Sequence, residues 1–130
     1  MEMAFTKYWL TAARQAMDCT MITDEFMQER LTASKTYSFM LLRTGPKWNL
    51  PGMDKIIWEH GRRNFQLRAD GLLAIVCPVT DGGDIKGMGI FNADPDQAKK
   101  IMDGDPGVQA GIFVYEIHPC RGFPGDALAK

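Results

Sequence analysis

The period of the hydrophobic pattern switches near residue 36. Before it, Phe5, Tyr8, Trp9, Ala12 and Ala16 recur at helical spacing and make one apolar stripe. A second short helix is expected after Thr23, whose hydroxyl is placed to cap a turn begun by Asp24 and Glu25. From Tyr37 the period is two: Tyr37, Phe39 and Leu41 point one way, and Ser38, Met40 and Leu42 the other. The turn-rich run GPKWNLPG over 45–52 separates this strand from a helix over 53–69, which Gly71 ends just beyond Asp70. The β-rich run 72–79 stops at Thr80, Asp81, Gly82 and Gly83, and a short strand over 85–91 completes a hairpin. Asp94 and Pro95 supply the cap and first position of another helix that ends near Gly104. A single turn is expected at Asp105 and Pro106, and the last strand over 112–118.

Strand, helix, strand, strand, helix, strand is the split βαβ arrangement, so the fold class is α+β: a ferredoxin-like four-stranded antiparallel sheet with two helices on one face. The division is into an N-terminal helical extension (1–35), the ferredoxin-like domain (36–120) and a short tail (121–130). In the first and last strands both alternating sets are apolar, so the sheet's other face is expected to meet the same face of a second copy in a two-fold homodimer.

Composition narrows the function. At 130 residues the chain suits one site per subunit. Fifteen basic residues are scattered among sixteen acidic ones, leaving no basic stripe for a row of phosphates, so nucleic acid is not an expected partner. The longest apolar run falls far short of the roughly 20 residues of a membrane helix, and no signal core opens the chain, so a cytoplasmic protein without membrane contact is expected. Cys19, Cys77 and Cys120 form no CxxC pair and read as reduced thiols. There is no phosphate loop and no cluster of ligands at metal spacing, so neither cofactor nor metal is expected.

Two polar residues interrupt the apolar stripe Met53, Ile56, Ile57, Leu67 of the 53–69 helix: His60 and Asn64 lie in its middle. An imidazole on a core-facing surface needs a hydrogen-bond partner, and its charge is set near neutrality by small perturbations. It is either a satisfied structural ring or a working acid or base. Asp105, before Pro106, is an ordinary helix cap; in contact with His60 it would also orient the ring for proton transfer. Lys47 and Trp48, in the loop after the first strand, are a cation and an aromatic able to close on an anionic or planar ligand, or else surface residues. Cys77 reads as a buried inert thiol or a group lining the site, and His118 as an edge residue or a second acid or base.

FMLLRTGP, the EH of the first core helix, DGLLAIVCPV, GMGIF and above all DPGVQAGIFVYEIHP resemble the YciI-like (YCII-related) family, small dimeric α/β-barrel proteins of ferredoxin-like fold. The run from His60 to the Cys77 and Pro78 pair resembles that from the family's helix histidine to its Gly-Pro. The resemblance implies a site centred on His60 and Asp105. Cys77, where the family commonly has glycine, and the long N-terminal appendage depart from the pattern. Relatives include enzymes that remove chloride from chlorinated muconolactones and, more distantly, muconolactone isomerases.

The leading expectation is therefore a lyase, isomerase or dehalogenase acting on a small organic acid or lactone at a site in a dimer cleft. In it His60 and Asp105 handle the proton, and Asn64, Lys47, Trp48 and Cys77 bind the substrate. A non-catalytic metabolite-binding or interaction module of the same fold, or a haem or oxygen-using member of the wider dimeric α/β-barrel group, are the alternatives.

Overall fold

A computed structural model describes residues 21–130; the predicted stripe from Phe5 to Ala16, and Cys19, lie outside them. The chain divides into two compact units, Met1–Ser34 and Lys35–Lys130. Of the first, the described part holds helix α1 (Asp24–Ala33), capped as its sequence suggests: the Thr23 hydroxyl accepts from the Phe26 amide at 3.1 Å.

The second unit contains strands β1 (Lys35–Thr44), β2 (Leu73–Pro78), β3 (Ile85–Phe91) and β4 (Phe113–Gly122), with helices α2 (Met53–Ala69), α3 (Pro95–Asp103) and the short α4 (Pro106–Gln109). The sheet order is β2-β3-β1-β4, and each neighbouring pair is antiparallel. This is the ferredoxin-like βαββαβ arrangement, with one extra turn before the last strand.

Ser38, Met40 and Leu42 of β1 are buried towards the helices, opposite Phe91, Gly89 and Gly87 of β3. Phe91, Leu73, Met102 and Ile112 complete the core between sheet and helices. The buried Ser38 hydroxyl donates to the Ala93 carbonyl at 2.8 Å, so no polar group is stranded there. The other strand face carries Phe39, Leu41, Met88 and Ile90 by alternation.

Two turns set the geometry of the site. After α2, Gly71 takes φ of 78°, its amide donating to the Arg68 carbonyl and that of Leu72 to the Leu67 carbonyl. This six-residue closure needs the left-handed conformation that glycine adopts without strain. The same closure follows α4 at Gly111, where Ile112 donates to Gly107 and drops, fully buried, into the core. The last strand is longer than the pattern suggested, running through Pro119 to Gly122. β4 is an edge strand, where proline's missing N–H breaks no inner ladder.

Candidate functional site

α4 packs against α2 as well as β4, and this brings Asp105 to His60 across 45 residues of sequence. Asp105 is the N-cap of α4, as its position before Pro106 suggests, and its Oδ2 accepts from the amides of Gly107 at 2.9 Å and Val108 at 3.1 Å. That leaves Oδ1 to meet His60 Nδ1 at 2.7 Å. The Asp105 side chain is 1% exposed and that of His60 11%, so the ring alone of the two can be reached.

The pairing fixes the imidazole. A carboxylate anchored by two amides takes a hydrogen from Nδ1, which leaves the lone pair on Nε2. Asn64, one turn further along α2, places its amide Nδ2 3.3 Å from Nε2. The Phe113 ring leans on the imidazole with centroids 4.8 Å apart, and Trp48 stands 5.9 Å beyond Phe113. Glycine is required at 107 because a side chain there would meet the Phe113 ring, with Cε2 at 2.7 Å, and Asp105 Oδ2 at 3.0 Å.

The imidazole and the Phe113 ring border an open cavity of about 440 Å³ between α2 and the sheet, walled largely by apolar groups. His60, Asn64, Trp48 and Cys77 all line it. Cys77 pairs with Met88, whereas its neighbours Val76 and Pro78 pair with Gly89 and Gly87 on the helix-facing side. Alternation therefore turns the Cys77 side chain towards the sheet's other face. Lys47 does not line the cavity: its stem runs beside Gly111, and its amide donates to the Gly111 carbonyl at 2.9 Å. The cations at the cavity are Arg68 and Lys86, and the Lys86 ammonium sits 4.7 Å from the centroid of Trp48. His118 lies exposed on β4 with Nε2 3.1 Å from Glu116.

Sequence reasoning passed over Phe113 and Lys86. Phe113 was readable only as one apolar position in a strand. Lys86 follows Ile85 in a short strand, and nothing in the pattern reveals that the pairing of β1 with β3 shifts register between Leu42 and Arg43, which leaves Lys86 without a partner on β1.

Among the described residues no group of three or more His, Cys, Asp or Glu is placed to hold a metal ion. Among the same residues no helix is long and apolar enough to cross a membrane.

No family model and no curated protein matches the chain. Among solved structures it is similar to 5-chloro-2-hydroxyhydroquinone dehydrochlorinase from Burkholderia phenoliruptrix, in complex with 2,5-dihydroxybenzoquinone. The two are 20% identical over 62% of this chain and 90% of that one, with a TM-score of 0.48.

Proposed function

We propose that the chain is a small-molecule enzyme of the lyase or isomerase type, a YciI-like protein in which His60 is the general base and acid and Asp105 orients it. One observation carries this reading: a buried carboxylate 2.7 Å from Nδ1 of an imidazole whose other edge reaches an apolar cavity. The chemistry is then constrained. Nε2 takes a proton from an acidic C–H or O–H of the bound molecule, and Asp105 stabilises the imidazolium that results. In an isomerisation the same proton returns to another atom of the substrate. In an elimination the electron pair left behind expels a leaving group. Asn64, whose 3.3 Å contact to Nε2 is long, gives way to the substrate and hydrogen-bonds its oxygen. Trp48 supplies a flat wall for the substrate's body. The substrate is a compact organic acid or lactone, held between apolar walls and the cations beside them.

The functional unit in this reading is a homodimer joined through the helix-free face of the sheet, where Phe39, Leu41, Met88 and Ile90 are only half-buried in the single chain.

The experiment is to incubate the protein in heavy water with a panel of small keto acids, phenols and unsaturated lactones and to follow carbon-bound deuterium by NMR. The wild type exchanges or converts at least one compound, and His60→Gln is slower by about a hundredfold or more, the usual worth of a positioned acid or base. Undiminished exchange or turnover in His60→Gln overturns the assignment.

A further inference from the structure

The cavity has a charged end that the proton-transfer pair does not account for. β3 pairs with β1 in register as far as Gly87 opposite Leu42, but the next pair is Ile85 opposite Arg43, leaving Lys86 as an extra residue. Such a bulge re-aims the side chain it carries. It is locked from both sides: the Val79 amide donates to the Lys86 carbonyl at 3.0 Å, and the Thr44 amide to the Asp84 carbonyl at 3.0 Å. Asp84 itself is engaged by the Thr44 hydroxyl and the Arg43 guanidinium. Lys86 thus stands over the Trp48 ring at 4.7 Å and borders the cavity, and among the described residues no carboxylate lies within ion-pair distance of it.

Along this wall the order is His60, Phe113, Trp48, Lys86, with successive spacings of 4.8, 5.9 and 4.7 Å. Among the described residues no Asp or Glu lines the cavity. An ammonium at the end of an aromatic wall, beside apolar surface, favours a negative charge on a flat body; Arg68, the other cation at the cavity, stands on α2 eight residues along from His60. We infer that Lys86 is the anion anchor at the aromatic end of this cavity, and that the ligand is a planar carboxylate. Its charged end meets Lys86, its body lies along Trp48 and Phe113, and its reacting end faces His60. This deepens the acid-base reading and rests on it only for the identity of the reacting end.

The test uses two flat probes that differ in charge, trans-cinnamate and its uncharged amide, titrated into the full chain at neutral pH while the Trp48 indole N–H is followed by NMR. Wild type binds cinnamate at least about tenfold more tightly than the amide, the preference expected of one charge-assisted contact. Lys86→Met removes the preference while still binding the amide, which shows that the cavity is intact. Lys86→Arg retains it, and His60→Gln also retains it, which separates this inference from the assignment of the base. Absence of a charge preference in the wild type, or its persistence in Lys86→Met, overturns the anchor.

Discussion

Asp105 has two oxygens and three donors, and the division of labour between them decides what the site can do. The two backbone amides belong to Oδ2, so Oδ1 is left for the imidazole, and a helix cap becomes an orienting group. Both the cap and the core-facing position of His60 were legible from sequence. What sequence pattern cannot supply is the 2.7 Å contact between them, because it depends on how α4 settles against α2. A half-buried tyrosine shows how partial desolvation alters chemistry. Tyr115 donates to Asp103 at 2.6 Å, and desolvation, followed by that carboxylate, pushes its phenol up to about 12. A raised phenol binds its proton more firmly in the folded state. Its contribution to stability is therefore complete below the ordinary tyrosine range near 10 and is lost as pH rises through about 12. A phenolate absorbance titration should show a tyrosine ionising near 12, and Asp103→Asn should bring it down. An unchanged titration in that variant would assign the whole shift to burial.

At the scale of elements, glycines decide how closely the pieces of the site approach. Gly107 sits where the first turn of α4 crosses the edge of Phe113, and Gly61 sits on α2 with open space around it. The two should respond oppositely to alanine. Gly107→Ala forces the Phe113 ring or the Asp105 carboxylate to move and should cost about 1–3 kcal/mol, as overpacking does. Gly61→Ala lowers the entropy of the unfolded helix and should add about 0.5–1 kcal/mol. Denaturant melts of the two variants check this, and equal changes of one sign would show that the contacts at Gly107 are unimportant. Most elements were legible because their signals are local: the period switch at Tyr37, the Gly71 closure and the Asp94–Pro95 start all lie where the pattern puts them. The length of β4 was not, since proline stops a strand only where its missing N–H would be needed, and edge position is a property of the whole sheet. The bulge at Lys86 escaped for the same reason, being a mismatch between two strands that neither reveals alone.

At the scale of the molecule, the sheet has helices on one face and a row of apolar side chains on the other. Phe39, Leu41, Met88 and Ile90 come from adjacent strands, so their surfaces are continuous across β1 and β3. A face of this kind is the expected position of the second copy in the homodimer proposed above. Sedimentation equilibrium at micromolar concentration should give twice the chain mass, and Leu41→Glu should shift it to the monomer by putting a charge at the centre of the interface. A monomeric wild type would end the dimer proposal while leaving the His60 site, which one chain assembles alone, untouched.

The central claim is that Asp105 holds His60 with a hydrogen on Nδ1 and a lone pair on Nε2, facing Asn64 and the cavity. The most direct measurement is heteronuclear NMR of the histidine ring nitrogens at neutral pH in the wild type and in Asp105→Asn. The account predicts a wild-type ring protonated at Nδ1, with that proton shifted far downfield by its short bond to the carboxylate. In Asp105→Asn it predicts transfer of the hydrogen to Nε2, because an amide donor now faces Nδ1. A wild-type ring protonated at Nε2, or one whose tautomer is indifferent to Asp105→Asn, would contradict it.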